Sequence, residues 1–218
     1  MGKKKKISFG KCTLPMIEKE FRLKRILGMT ELDNWLNVKD IVVSDTEKDI
    51  ILEIISDSKY RIKLWNEETL KMMFIAPILR MAHFNNNEIG TFADESLEAE
   101  FEAFTLSGRV DWLVAKGIAY SEIPYFFLHE YKRSRTENDP DGQLLAAMLT
   151  AQALNNNGET LYGIVVTGAS WDFFILNGKK YDISESYTAT DFDSLVKIVK
   201  VLKKTQKIIT DIVQKLPK

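Results

Sequence analysis

Two stretches joined by a short connection decide the fold of this chain: Arg109-Val-Asp-Trp-Leu-Val-Ala115 and Tyr125-Phe-Phe-Leu-His-Glu-Tyr-Lys132. Both are rich in Val, Phe, Tyr and Trp, which favour β-strands. The connection from Gly117 to Pro124 contains the residues typical of a turn. If the two strands form a hairpin, its centre lies between Tyr120 and Ser121. The pattern therefore predicts a pair of neighbouring antiparallel strands.

Charged side chains meet on this predicted hairpin. Its register places Asp111 opposite Glu130, and Lys132 shares a face with Glu130 because alternate residues of a strand point the same way. Two carboxylates and an ammonium on one patch of a hydrophobic sheet are costly to bury unless something compensates. A divalent cation held by Asp111 and Glu130, with Lys132 beside it, would compensate. Oxygen-only ligands favour Mg²⁺, with Mn²⁺ as a substitute.

The pattern Gly-Arg-Val-Asp111 followed by His-Glu-Tyr-Lys132 resembles the D…ExK signature of the PD-(D/E)XK nuclease superfamily, which has the restriction-endonuclease-like fold. Val110 stands where the family name has proline. The resemblance implies a metal-dependent nuclease that hydrolyses phosphodiester bonds of DNA, with RNA not excluded. It also implies that Asp111, Glu130 and the backbone carbonyl of Tyr131 hold the metal. Lys132 would then orient the attacking water or help to deprotonate it.

A further acid is implied by the segment 66–83, which predicts a helix capped by its first residue, with Pro77 marking a kink or a local break. This segment begins Asn-Glu-Glu-Thr-Leu-Lys-x-x-Phe and is similar to the first helix of nuclease domains in type I restriction subunits. The similarity implies that Glu67 approaches the metal site, with Glu68 as the alternative. Both acids would also suit the positive end of the helix dipole without any part in a site.

Two more acids lie in Leu97-Glu-Ala-Glu-Phe-Glu-Ala103, which alternates apolar and acidic residues and predicts a half-buried strand. A turn at Ser107-Gly108 would pair this strand with the next one as a hairpin. In that register Glu100 and Glu102 share the face of Asp111, and either could serve the metal. Acids at such positions more often face solvent.

The segment that follows Lys132 carries Arg133 and Arg135, which would either contact phosphate or lie in a solvated loop. Residues 143–154 then predict a helix that is apolar nearly all round and therefore buried. In related nuclease families a Gln-x-x-x-Tyr motif at the start of this helix lies near the active site. Gln143 matches the Gln, so the resemblance implies a role for it, whereas Ala147 occupies the Tyr position and carries none.

The order of predicted elements indicates an α/β fold: a restriction-endonuclease-like core with a mixed central sheet flanked by helices. Residues 1–64 predict an N-terminal helical annex, and residues 65–218 the nuclease-like core with a C-terminal helix. The strand at 161–167 follows a crossover helix, which predicts parallel pairing with the Glu130 strand, and Asn177-Gly178 predicts a hairpin turn. Bacterial proteins of unassigned role resemble the chain more fully, its opening helices included.

Composition is that of a soluble globular protein of 218 residues with a formal net charge of −1. The sequence contains no apolar stretch of membrane-spanning length, and Cys12 stands alone, so we expect a cytoplasmic protein without membrane association. Motifs for a phosphate-binding glycine loop or a nucleophilic serine elbow are absent. The alternative to a nuclease is a nuclease-like fold that binds nucleic acid or a protein partner without turnover.

Overall fold

The computed structural model describes residues 4–134 and 138–216 of the chain. Its helices are α1 (Leu14–Phe21), α2 (Thr30–Leu36), α3 (Asp45–Ser58), α4 (Glu67–Leu70), α5 (Ala76–Arg80), α6 (Pro140–Asn155) and α7 (Phe192–Lys215). Its strands are β1 (Lys5–Ser8), β2 (Lys24–Arg25), β3 (Ile89–Glu100), β4 (Phe104–Lys116), β5 (Glu122–Lys132), β6 (Leu161–Thr167), β7 (Ser170–Asn177), β8 (Lys180–Ile183) and β9 (Tyr187–Thr188). A π-helical turn, Lys71–Ile75, joins α4 to α5, and a 3₁₀ turn, Phe9–Lys11, follows β1.

The strands of the described residues form one mixed, open sheet in the order β1-β4-β5-β6-β7-β8-β2, with β3 also on β4 and β9 on β7. The pairs β1–β4, β5–β6 and β2–β8 are parallel, and the others are antiparallel. The predicted parallel pairing of the Glu130 strand with residues 161–167 is therefore confirmed. The predicted Asn177-Gly178 hairpin is confirmed as well, because Asn177 pairs with Lys180 and Gly178 has a φ of +58°.

The sheet separates two hydrophobic layers, so the α/β class with flanking helices is confirmed. Helices α2, α3, α5 and α7 cover one face, and α1 and α6 cover the other. Along β5, Phe127 and Tyr131 belong to the first layer and Leu128 to the second, as strand alternation requires. Strands β4 and β5, which carry the predicted site, thus lie in the middle of the sheet between both layers.

The N-terminal 64 residues, predicted as a helical annex, contain α1, α2 and α3 and also supply strands β1 and β2 to the central sheet. Their helices belong to both hydrophobic layers. Lysines of α7 hold the end of α2, since Lys197 Nζ donates to the carbonyl of Leu36 and Lys204 Nζ to that of Asn37. A domain boundary after residue 64 stays a prediction.

The predicted hairpin turn at Ser107-Gly108 is wrong. Strand β4 runs through both residues, and the β3–β4 turn lies at residues 101–103 instead. Gly108 serves packing rather than a turn, because a Cβ atom at this position would lie 2.5 Å from the ring of Phe9. The glycine therefore marks the place where an N-terminal aromatic side chain rests on the strand.

The corrected register moves the two glutamates of β3 away from the predicted metal site. Glu100 pairs with Thr105, six residues before Asp111, which is about 20 Å along a strand. Its carboxylate faces Lys4 instead, at 3.4 Å. Glu102 lies in the turn beyond the last pair. Glu100 and Glu102 therefore lie away from Asp111, and the prediction that either serves its metal is wrong.

Candidate active site

Asp111 lies on β4, between the part of the strand edge that pairs with β1 and the part that pairs with β5. The pairs of that edge with β1 end at Ser107, and those with β5 begin at Trp112. Trp112 lies opposite His129, so the predicted hairpin register is confirmed at the pair next to the two acids. The Asp111 side chain joins the strands, because its Oδ2 accepts a hydrogen bond from the backbone N–H of Tyr131 at 2.8 Å.

Glu130 and Lys132 form a buried ion pair near the end of β5. Lys132 Nζ lies 2.6 Å from Glu130 Oε1 and also donates to the backbone carbonyl of Tyr131 at 3.1 Å. Only 6 % of Glu130 is exposed. Burial and the nearby charge of Asp111 raise the pKa of Glu130 to about 7, against the opposing effect of Lys132. Burial alone would lower the pKa of Lys132, but the charge of Glu130 and the hydrogen bond to it raise that pKa.

Lys71 binds the other acids of the site. Its Nζ atom lies 2.9 Å from both Glu67 Oε1 and Asp111 Oδ1, and 3.4 Å from Glu68 Oε1. The side chain of Glu67 is 33 % exposed and that of Glu68 is 76 % exposed. Burial would lower the pKa of Lys71, but hydrogen bonds to Glu67 and Asp111 raise it above its ordinary value. Of the two alternatives, Glu67 is therefore the closer and less exposed partner of the ammonium that Asp111 also contacts.

The helix that carries Glu67 and Lys71 begins and breaks as the sequence predicts. Asn66 caps it, because its Oδ1 accepts the backbone N–H of Thr69 at 2.8 Å. Pro77, which cannot donate a backbone hydrogen bond, follows a π-helical turn in which the N–H of Ala76 donates to the carbonyl of Lys71. Such π-turns recur at functional sites. Here the turn begins at the lysine that holds the acids.

Lys71 is the site residue that the sequence analysis missed. Its contact with Glu67 has a sequence signal, because acids and lysines four residues apart are neighbours on a helix. Its contact with Asp111 has none, since forty residues separate the two and only the packing of the helix on the sheet brings them together.

His129 lies beneath the site and is not part of it. It is fully buried, its ring packs on Phe127 and Trp112, and its Nδ1 lies 2.7 Å from the hydroxyl of Tyr131. Burial lowers the pKa of His129 well below its ordinary value. Burial and the charges of Asp111 and Glu130 raise the pKa of Tyr131. A neutral imidazole and a neutral phenol therefore support the strand that carries the site.

The remaining predicted residues are Gln143, Arg133 and Arg135. Gln143 lies in the first turn of α6 and is 6 % exposed, and its Nε2 has no hydrogen-bond partner within the described residues. Arg133 is exposed directly after Lys132. Arg135 lies outside the described residues. Ala147, at the position of the family's tyrosine, is buried in the hydrophobic layer around α6.

The donor set fits a hard divalent cation by its chemistry, although its present arrangement is an ion-pair network. The candidate donors are the carboxylates of Glu67, Asp111 and Glu130 and the carbonyl of Tyr131, all of them oxygens. Across residues 4–134 and 138–216, no three His, Cys, Asp or Glu side chains are grouped closely enough to hold a metal. Instead, the ammonium groups of Lys71 and Lys132 contact the oxygens that a cation would use. The carboxylates of this network outnumber its ammonium groups, which favours a further cation.

Comparison with known proteins identifies no family for this chain: no protein-family model matches it, and no curated protein matches it significantly. None of the helices in the described ranges is both long and apolar enough to cross a membrane.

Proposed function

We propose that this chain is a metal-dependent nuclease of the PD-(D/E)XK type, with a restriction-endonuclease-like core, which hydrolyses phosphodiester bonds of DNA. The observation that carries the proposal is one cluster of charges on two adjacent strands and one helix: Asp111 on β4, Glu130 and Lys132 on β5, and Glu67 on α4. The buried carboxylate of Glu130, close enough to Asp111 to be destabilised by it, is costly for a purely structural element.

The residues of the cluster would divide the work between holding the metal and handling water. Asp111, Glu130 and the carbonyl of Tyr131 would hold Mg²⁺ or Mn²⁺, with Glu67 as a further ligand. When bound, a cation of this kind supplies a nucleophile at neutral pH and neutralises charge at the phosphate. Lys132, anchored on Glu130 and Tyr131, would orient the attacking water.

Lys71 would act as the counter-ion of Glu67 and Asp111 whenever these acids hold no metal. Its ammonium lies between Glu67 and Asp111 at 2.9 Å from each, so it would give up these contacts when the acids hold a metal. The released ammonium would then be available to a phosphate oxygen. Arg133, exposed just past Lys132, would contact the phosphate backbone, and Gln143 would support the site from α6.

A metal titration combined with a cleavage assay tests this function. Calorimetry with Mn²⁺ is expected to show binding to the wild type and none to Asp111→Ala or Glu130→Ala. The wild type and the control variant should then cut supercoiled plasmid, single-stranded DNA or RNA when Mg²⁺ is present, and the two alanine variants should not. Asp94→Asn is a matched control, since Asp94 is an exposed acid of β3 that pairs with Arg109. Cleavage by Asp111→Ala at the wild-type rate would overturn the assignment.

A second candidate is a nuclease-like fold that binds nucleic acid or a protein partner without turnover. It is favoured by one observation: Glu67, Asp111 and Glu130 each already have a lysine partner, as in a structural ion-pair network. Nucleic acid bound by wild type and by Asp111→Ala with equal affinity, without cleavage or metal binding, would favour this candidate.

A further inference from the structure

A cavity of about 590 Å³ opens directly beside the charge cluster, between the helical segment of residues 67–80 and strands β3 and β4. Asp111, Lys71 and Tyr131 line its inner end. The cavity is therefore continuous with the proposed catalytic centre, and its volume lies in the range of small-molecule sites.

The chemistry of the cavity wall changes from the inner end outwards. Past Asp111 and Lys71 the wall is apolar, formed by Ile75, Leu79, Phe84 and Trp112. The exposed polar side chains of the wall are those of Glu68, Arg80, His83 and Asn85. A molecule that binds here must therefore have a charged or polar group at the inner end and an apolar part behind it.

Trp112 is held as a rigid wall of this cavity. Its ring centroid lies 5.6 Å from that of Phe84 and 4.4 Å from that of His129, while part of the side chain stays accessible. Aromatic side chains fixed in this way act as platforms for single bases in proteins that bind unpaired nucleic acid. The exposed Arg80 adds a positive charge that suits a phosphate backbone.

We propose that the cavity binds one unpaired nucleotide of the substrate, with its base in the apolar section and its phosphate directed towards the Lys71 and Asp111 end. The inference rests on the proposed nuclease function and names its substrate class: single-stranded or locally unpaired nucleic acid. A base that is paired and stacked within a duplex cannot enter such a cavity unless it is unstacked first.

Two exposed alanines allow the cavity to be filled without disturbing the core. Ala93 on β3 and Ala76 on α5 both line it, so Ala93→Phe and Ala76→Phe would each place a phenyl ring inside. Met73→Phe is the matched control, because Met73 is 59 % exposed on the same helical segment and lines neither this cavity nor the adjoining one.

Fluorescence anisotropy with a short labelled single strand and with a blunt duplex of two fully complementary strands, in Ca²⁺ to support binding, tests the proposal. The wild type and Met73→Phe are expected to prefer the single strand, and both alanine variants to bind it about tenfold or more weakly, as loss of one stacked base predicts. Mn²⁺ affinity, measured by calorimetry, should be the same in all four proteins.

Equal binding of duplex and single strand by the wild type, no binding of either, or undiminished binding by both filled variants would overturn the inference. These results are separable from the nuclease function. Single-strand binding lost in the filled variants, with no cleavage by any protein, would retain the nucleotide site and remove the nuclease. Cleavage of single strands by the filled variants at the wild-type rate and affinity would retain the nuclease and remove the nucleotide site.

Discussion

Two buried carboxylates of this protein, Asp182 and Glu130, are satisfied in different ways. Asp182 is 2 % exposed and accepts the backbone N–H groups of Gly28, Met29 and Ile183, with Arg25 as an additional partner. Glu130 is 6 % exposed and accepts a hydrogen bond from the flexible ammonium of Lys132. Backbone amides are fixed by the fold, whereas an ammonium on a long side chain can move away.

Asp182 is therefore a structural acid, whereas the hydrogen-bond partner of Glu130 can be exchanged. Fixed amides tie the loop before α2 to β8 through Asp182, and a cation could not replace them. At the candidate active site the partners of the acids are lysines. Because their ammonium groups can move away, the same oxygens could bind a metal instead. Substitutions should therefore affect stability at Asp182 and chemistry at Asp111 and Glu130.

The largest expected effect is on cleavage in Asp111→Asn. The substitution keeps the acceptor for Tyr131 N–H but removes the charge that would hold the metal. Loss of several kcal/mol of transition-state stabilisation corresponds to a cleavage rate lower by about a thousandfold or more. Plasmid nicking measures the rate, and urea unfolding should show that the fold is retained. An Asp111→Asn protein that is inactive because it is unfolded would not support the contrast with Asp182.

The reverse result is expected for Asp182→Asn. Both Asp182 oxygens accept backbone N–H groups, so an amide in either orientation must direct its NH₂ at a donor. We expect the free energy of unfolding to fall by about 2–4 kcal/mol. Urea unfolding monitored by circular dichroism gives this value. Mn²⁺ affinity of the folded variant should stay at the wild-type level, and a large loss of that affinity would contradict the division between the two regions.

A smaller effect tests whether Lys71 occupies a cation position. Lys71→Met removes the ammonium shared by Glu67 and Asp111, leaving two carboxylates without their partner. Mn²⁺ affinity is expected to rise about tenfold, a change of about 1.4 kcal/mol. Calorimetry compares it with Lys48→Met, a control in which the lysine pairs with Asp45 on the exposed side of α3. Unchanged or weaker affinity in Lys71→Met would show that the ammonium supports the metal site rather than competing for it.

The final prediction concerns the pH dependence of stability and the buried thiol of Cys12. Its thiol is 1 % exposed, and burial raises its pKa from 9.0 to about 11. Within this interval the folded chain keeps a proton that the unfolded chain has lost, so stability falls as the pH rises from about 9 to about 11. An increase in pKa from 9.0 to about 11 limits the loss to at most about 3 kcal/mol. The difference in unfolding free energy between wild type and Cys12→Ala, measured across this range, isolates it. A difference independent of pH would show that the thiol ionises in the folded state as it does when exposed.

Residues that are close together in the sequence were sufficient to predict much of the candidate site. The β-favouring residues on either side of one short loop predicted the strand pair, and the centre of that loop predicted the register, which is confirmed at Trp112 and His129. The cap at Asn66 and the break before Pro77 were local signals too. The turn before β4 was predicted wrongly because Ser107-Gly108 has turn composition, while the glycine is required by the ring of Phe9.

What the sequence by itself determined is the set of acids on β4 and β5, because strand pairing across a short loop depends on neighbouring residues only. What the tertiary structure alone decided is which groups meet those acids. Lys71 reaches Asp111 and the cavity forms beside Trp112 because the helical segment of residues 67–80 packs on the sheet. Strands β1 and β2 join the sheet beside strands that are far from them in sequence. Such contacts depend on the packing of whole layers, and no spacing along the chain encodes them.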